Sequence, residues 1–299
     1  MYFFRREKVQ CRYQFSLRDA VDTALLQRAL TAALASAPYY TQRLVQEKRE
    51  MWLEPNTEPC LVYHGSTMRN IPEQTNGYLF CISCEGDTVY FDWHHFLLDG
   101  HGVSPLFTSI LEQYCNLRYG TAFAVQQIVC DPPYDMQAML AEYPPVEGGS
   151  DAIQRDVVQT YEGALRRTRV CLSKQSLVEK ALANNAKPVS ALMSLLCMAM
   201  REYLGKEKIQ YSYSSDTRDV AGVPHALYNC VCSFEHTVQL QAHTRPADLV
   251  SNIDADIKRD LQPQSKRRRM TEQMGWVYKV DQQKAPLRIK QRVFQMGEY

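Results

Sequence analysis

The residues with the clearest chemical meaning lie in the run His-His-Phe-Leu-Leu-Asp-Gly, residues 94–100. An imidazole accepts and returns a proton near neutral pH, so one histidine of the pair could serve as a general base. Asp99 and Gly100 form a dipeptide that favours a turn. The spacing therefore indicates proton transfer by one histidine, next to a loop that Asp99 and Gly100 hold in place.

The strand that leads into this run predicts which histidine faces the chemistry. Side chains alternate between the two faces of a strand. His95 would share the apolar face with Val89, Phe91 and Trp93, whereas His94 would fall on the more polar face. We therefore expect His95 to point into a buried or half-buried space and to be the base.

The residues after the run predict a helix whose N-terminus lies near Asp99. Ser104 followed by Pro105 is typical of an N-cap and a first helical position, and Gly120 is typical of a helix end. A carboxylate just before a helix N-terminus is electrostatically favoured. Asp99 is thus suited to hold a loop or an arginine rather than to exchange protons.

Two other interpretations of the histidine pair stay open. Adjacent histidines at the end of a strand can be ordinary half-buried residues. A metal site could use His94, His95, Asp99 and His101. We expect no metal, because neighbouring residues of a strand point to opposite faces and make poor joint ligands.

The run 94–100 resembles the His-His-x-x-x-Asp-Gly signature of the chloramphenicol acetyltransferase-like superfamily, which includes condensation domains of peptide synthetases and alcohol acetyltransferases. The resemblance extends over roughly residues 10 to 260. It includes a first helix with Val21, Asp22 and Leu25, a link with Pro38 and Arg43, a strand end at 214–218 and a strand that carries Asn229.

The resemblance implies a transferase that moves an acyl group from a thioester to a hydroxyl or amine. His95 would be the general base, with no acyl-enzyme intermediate. Asp99 matches the structural aspartate of the family, with Arg218 as its expected partner and Arg12 as the second candidate. Gly100 matches the motif glycine. His94 and Asn229 are the remaining motif positions.

The implied co-substrate is acyl-coenzyme A or an acyl-carrier protein, with no tightly bound cofactor and a small alcohol or amine as acceptor. Two alternatives stay open. The chain could be a condensation-type domain fed by a carrier protein. It could also be a non-catalytic or incomplete relative that acts as a binding module.

The expected fold is α/β (α+β) with two chloramphenicol acetyltransferase-like lobes, each a mixed sheet packed with helices. We place the N-terminal lobe at residues 1–140 and the C-terminal lobe at 141–299, since Pro and Gly are frequent between 120 and 160. The second lobe is shorter than the family implies, so it is expected to be incomplete.

Composition limits the class of protein. The formal net charge is +1 and hydrophobic residues make up 45%, so neither nucleic acid nor an anionic membrane is indicated as a partner. No apolar run is long enough for a membrane span, and the N-terminus does not resemble a signal peptide. We expect a cytoplasmic protein whose ten cysteines are free thiols.

Three further expectations concern the second half. The helix over 188–204, rich in Leu and Met, is expected to be buried on most sides. His236 is expected to be a satisfied core histidine. The basic run 266–269 is expected to form a solvated face, with the phosphates of coenzyme A or of a carrier arm as the alternative. Residues 270–299 show little pattern.

Overall fold

A computed structural model describes residues 10–95, 97–144 and 170–296. For residues 294–296 it describes the backbone only. These residues belong to two compact units, each formed from separate stretches of chain. Unit 1 comprises 1–136, 221–231 and 274–299, and unit 2 comprises 137–220 and 232–273. The second half of the chain is therefore shared between the units, and the lobe bounds 1–140 and 141–299 stay a prediction.

Unit 1 contains a mixed sheet of four strands. They are β1 (Gln10–Ser16), β4 (Val62–His64), β5 (Phe80–Glu85) and β6 (Thr88–His94), in the order β1-β6-β5-β4. Strands β4 and β5 are parallel, and the other neighbours are antiparallel. A separate antiparallel hairpin joins β2 (Gln42–Gln46) to β3 (Met51–Pro55). The mixed sheet expected from the sequence is confirmed here.

Two helices share the core of this sheet, α1 (Thr23–Ala35) and α2 (Gly100–Tyr119). Asp22 caps α1 by accepting a hydrogen bond from the backbone N–H of Leu25 at 3.0 Å. Helix α2 ends at Gly120, whose φ of 66° lies in the left-handed region that favours glycine. Apolar side chains of α1, β5, β6 and α2 form one buried core.

Unit 2 contains a two-stranded sheet packed with helices. The strands are β7 (Lys208–Asp216) and β8, which runs from Val231 to Gln239. The helices described after residue 120 are α3 (Met136–Glu142), α4 (Lys174–Ala183), α5 (Pro188–Leu204), α6 (Arg218–Ala221), α7 (Pro246–Asp260), α8 (Pro263–Asp281) and α9 (Leu287–Met296). The end of α8 and all of α9 belong to unit 1. A hydrogen bond from Leu240 to Glu207 and the contact of Ser214 with Ser233 indicate antiparallel pairing. The described part of this sheet is therefore not mixed.

Helix α5 is not buried on most sides, which corrects the expectation. Several of its large side chains are exposed, Leu196 by 50% and Tyr203 by 82%, while Met193 and Met198 are only partly buried against the core. Ser190, Ser194 and Cys197 are buried instead. Small side chains on the inner face let α5 lie close to its neighbours. Which side chains of α5 are buried therefore depends on the face of the helix they occupy, and not on how apolar the helix is as a whole.

The basic run 266–269 is not a solvated face, which corrects a second expectation. Lys266 is 6% exposed and pairs with Asp219 at 2.5 Å. Arg267 donates to backbone and tyrosine oxygens, and Arg269 donates to the carbonyl of Ser233. Arg268 alone of the four is exposed. Three of these cations are therefore used inside unit 2.

His236 is satisfied within unit 2, as expected. Its Nε2 lies 2.5 Å from Asp260 Oδ2, and its ring stacks on Tyr211. Among the described residues, no helix combines the length and the apolar character that crossing a membrane would require.

Candidate active site

The histidine pair lies where β6 ends. His94 is the last residue of the strand and is 1% exposed. His95 occupies the turn that follows and is half-buried, whereas His94, expected on the more polar face, is the more deeply buried of the two. His95 is therefore the more accessible imidazole of the two, and Phe96 lies outside the described residues.

The turn after His95 is held by side chains from two directions. Tyr39 donates its hydroxyl to the carbonyl of Leu97 at 3.0 Å, and Trp93 Nε1 donates to the carbonyl of Leu98 at 3.1 Å. Leu97 and Leu98 are themselves buried in the core. Because its carbonyls and its side chains are both fixed, the turn is a rigid support for His95.

Asp99 is the N-cap of α2. Its Oδ1 accepts from the backbone N–H of Gly102 at 2.8 Å, and its Oδ2 accepts from that of Cys230 at 2.9 Å. The expected cap at Ser104 is wrong, since α2 begins at Gly100 and continues through Pro105. A carboxylate satisfies the first backbone donors of the helix better than a hydroxyl five residues later.

Gly102 is the glycine that the packing requires. A Cβ at this position would lie 1.8 Å from the carbonyl oxygen of Leu227, whereas one at Gly100 would lie 3.3 Å from the Tyr13 hydroxyl. The Tyr40 hydroxyl also donates to the carbonyl of Gly102 at 2.6 Å. Sequence reasoning singled out Gly100 and missed Gly102, although the pattern Gly-His-Gly was a visible signal.

Asn229 lies directly against His95. Its Nδ2 is 3.0 Å from His95 Nδ1 and 3.4 Å from the backbone oxygen of the same histidine. In the same short segment, Leu227 contacts Gly102 and the backbone N–H of Cys230 donates to Asp99. Three residues of this segment therefore contact the turn and the start of α2. The structure therefore brings together His95, Asp99 and Asn229, three of the residues singled out from the sequence.

Solved structures share this arrangement of elements. Polyketide synthase associated protein 5 from Mycobacterium tuberculosis aligns with a TM-score of 0.65 at 19% identity, over 87% of this chain and 71% of that one. The first condensation domain of the calcium-dependent antibiotic synthetase aligns with a TM-score of 0.58 at 15% identity, over 86% and 70%. The epimerization domain from the third module of tyrocidine synthetase B gives 0.58 at 14%, over 87% and 69%.

The chain has the fold of condensation and epimerization domains. The fold that the resemblance to the chloramphenicol acetyltransferase-like superfamily implies is thereby confirmed. No protein-family model and no curated protein sequence matches the chain. The likeness to the solved structures lies below 20% identity, so it concerns the fold alone.

Two arginines were considered as partners of Asp99 within this condensation-type fold. Arg12 is not the partner, because its Nε and Nη2 donate to Asp92 at 2.6 and 2.7 Å and its Nη1 donates to Ser66. Arg218 belongs to unit 2, where it is 3% exposed and pairs with Asp216 at 3.1 Å. Its pairing with Asp99 stays a prediction.

Burial raises the pKa of several hydroxyl and thiol groups of unit 1. It raises the pKa of the Tyr39 hydroxyl well above its ordinary value, with smaller contributions from neighbouring thiols and tyrosines. It raises the pKa of Tyr228 and that of Cys81 to about 12 each. Tyr39 therefore acts as a hydroxyl donor, and Cys81 is not a ready nucleophile at neutral pH.

Two further features bear on the run 94–100: the absence of a metal-binding cluster among the described residues, and a cavity that lies elsewhere in unit 1. Among the described residues, no three His, Cys, Asp or Glu side chains are grouped so that they could hold a metal ion. A cavity of about 630 Å³ lies between the β2–β3 hairpin and the start of α9. Its lining, which includes Lys48 and Arg288, contains no residue of the run 94–100.

Proposed function

We propose that the protein is an acyltransferase that moves an acyl group from a thioester to a hydroxyl or amine, with His95 as the general base. The observation that carries the proposal is the geometry of His95. Its imidazole is half-buried at the end of a buried strand, in a turn that Tyr39, Trp93 and Asp99 hold rigid. The fold shared with condensation domains supports the same reaction class.

The chemistry needs one proton carrier. A ring nitrogen of His95 takes the proton from the acceptor O–H or N–H while that atom attacks the thioester carbonyl carbon. The tetrahedral intermediate then collapses, the C–S bond breaks, and the imidazolium returns the proton to the thiolate. The products are an ester or amide and a free thiol, so atoms and charges balance.

Other residues of the motif are better suited to support than to proton transfer. Both carboxylate oxygens of Asp99 accept backbone hydrogen bonds, which makes Asp99 a structural residue. His94 is 1% exposed, so a substrate could not reach it without a rearrangement of the core. His95 is therefore the residue whose removal should abolish chemistry while the fold persists.

The test compares His95→Ala with the wild-type chain. Purified proteins are incubated with acyl-thioester donors and pooled alcohols and amines, and new esters and amides are measured by mass spectrometry. We expect a loss of about 10²-fold or more, the usual contribution of a general base. His243→Ala is the control, since His243 is exposed in a turn of unit 2. Equal activity of His95→Ala and wild type would contradict the proposal.

The donor is the second unknown. Acyl-coenzyme A is the donor that we propose first, and an acyl group on a carrier protein is the alternative that the condensation-domain fold favours. Lys266, Arg267 and Arg269 make internal contacts, which argues against this run as the phosphate site. Supplying the same acyl group on coenzyme A and on a carrier protein separates the two donors. Binding without any transfer would favour a non-catalytic relative.

A further inference from the structure

The amide of Asn229 faces two atoms of His95 with the same group. Its Nδ2 lies 3.0 Å from the ring nitrogen Nδ1 and 3.4 Å from the backbone carbonyl oxygen. An amide nitrogen carries two hydrogens, so it can donate to both atoms. The backbone oxygen only accepts, which means that the group next to it must be the NH₂ end of the amide.

This orientation determines the state of the ring. With the NH₂ end in place, Nδ1 must present its lone pair, because two N–H groups cannot hydrogen-bond to each other. A neutral imidazole carries one proton, which then sits on Nε2. The backbone carbonyl of His95 therefore selects the tautomer of its own side chain through Asn229.

We infer that Asn229 is a positioning residue that sets which nitrogen of His95 carries the proton, and that the resting chain holds the Nε2–H tautomer. The consequence for catalysis rests on the proposed function. In this state the lone pair at Nδ1 is occupied by Asn229 and Nε2 already has a proton. The resting imidazole is thus not ready to act as a base.

Rotation of the amide makes the ring a base. A half turn about the Cβ–Cγ bond of Asn229 brings Oδ1 to Nδ1 and gives up the hydrogen bond to the backbone oxygen. The ring then gives its Nε2 proton to solvent water and takes a proton from solvent at Nδ1, which donates to Oδ1 and leaves the lone pair on Nε2. Asn229 is suited to this role because an amide offers a donor and an acceptor of almost equal size.

The test reads the tautomer directly. The full chain is labelled with ¹⁵N-histidine and studied by NMR at about pH 8, where an ordinary imidazole is neutral. The His95 signals are assigned by their loss in His95→Gln. We expect the protonated nitrogen to be Nε2 in the wild type. In Asn229→Asp the carboxylate can only accept, so the pattern should invert to a protonated Nδ1.

The control is Asn252→Asp, which adds the same charge on an exposed position of α7 and should leave the His95 pattern unchanged. A protonated Nδ1 in the wild-type chain overturns the inference, and so does an unchanged Nε2–H pattern in a folded Asn229→Asp. If that variant does not fold, the wild-type measurement still decides. A chain that transfers no acyl group but shows the expected tautomers refutes the proposed function and leaves this inference standing.

Discussion

Asp99 and Gly102 give the motif its structure at the scale of single residues. Asp99 caps α2 and holds Cys230, and Gly102 lets the backbone of Leu227 approach the helix. Neither residue offers a group that exchanges protons with a substrate. Their substitution should therefore first lower stability and then displace His95 and Asn229 from each other.

Replacing Gly102 by alanine should lower the free energy of unfolding by about 1–3 kcal/mol, because the new Cβ would overlap the Leu227 carbonyl at 1.8 Å. Urea unfolding measures the effect. Gly100→Ala is the matched control and should stay within about 0.5 kcal/mol, since only the Tyr13 hydroxyl lies near. Similar stability of the two variants would disprove the close approach.

Replacing Asp99 by asparagine should lower the free energy of unfolding by about 1–3 kcal/mol. The carboxylate accepts hydrogen bonds from two backbone N–H groups, and the NH₂ group of asparagine would face one of them. Acyl transfer should fall as well. Asp22→Asn is the control. Asp22 accepts from a single backbone N–H of α1, and asparagine is an equally good N-cap, so little change is expected there. Equal losses in both variants would mean that Cys230 contributes nothing.

Residue-level prediction from the sequence selected the run 94–100 by its motif, and the role of His95 as a base stays a prediction. Residue-level prediction failed for Gly102 and for Arg12. The close contact of Gly102 depends on Leu227, which is remote in sequence. Arg12 is taken by Asp92 on the neighbouring strand, and that register is a property of the sheet rather than of either segment.

At the level of secondary-structure elements, the N-terminus of helix α5 is capped by a side chain of α7. Oδ1 of Asp254 accepts from the backbone N–H of Lys187 and from the Ser190 hydroxyl, at 2.8 and 2.7 Å. Its Oδ2 pairs with Lys258 at 2.6 Å. One carboxylate therefore caps α5 from α7 and joins the two helices.

This cap predicts an acid-sensitive stability. Burial alone would raise the pKa of Asp254, but hydrogen bonds from Lys258, Lys187 and Ser190 outweigh it and hold the pKa below its ordinary value. A lowered pKa in the folded state means that the stabilisation is present above about pH 3.9 and is lost as the pH falls through the folded-state pKa. Asp254→Asn should therefore be less stable than wild type at pH 7, with a difference that shrinks in acid.

Urea unfolding of both proteins between pH 7 and pH 3 measures this difference. Asp248→Asn serves as the control, because Asp248 is 50% exposed and pairs only with a surface arginine. A difference between Asp254→Asn and wild type that does not change with pH would contradict the role of the charged cap.

Helices and strands could be predicted where the spacing of their apolar residues and the residues at their ends are visible in the local sequence. Helix α5 matches the expected 188–204, and Gly120 ends α2 as expected. The orientation of α5 was not predictable from its own sequence. Its buried side chains include Ser190 and Ser194, and the Ser190 hydroxyl donates to Asp254, a residue of α7. Helix α8 was missed because its apolar positions follow no clear stripe, and α9 was missed although its ten residues divide into an apolar and a polar face.

At the level of the whole chain, each unit is assembled from separate stretches of the sequence. Residues 221–231 belong to unit 1 although they follow most of unit 2 in sequence. Leu227 is 3% exposed within the core of unit 1. Asp131 and His225 also hydrogen-bond to each other through their backbones and the Asp131 carboxylate. The continuous division at residue 140 could not reveal this return, since no local pattern marks it.

A fragment of residues 1–140 should therefore be less stable than the same fragment joined by a flexible linker to 221–231. The loss of Leu227 from the core alone predicts about 2–5 kcal/mol. Urea unfolding followed by the fluorescence of Trp93, which is 3% exposed, measures the difference. Equal stability of the two fragments would show that the returning segment does not belong to this core.

The distance along the chain between His95 and Asn229 has a consequence for biosynthesis. They are separated by 134 residues. At about 5–20 residues per second, translation adds the asparagine about 7–27 s after the histidine. A nascent chain still attached to the ribosome thus carries the imidazole without its amide neighbour while these 134 residues are added. The candidate site can be assembled only after the segment that carries Asn229 has been synthesised.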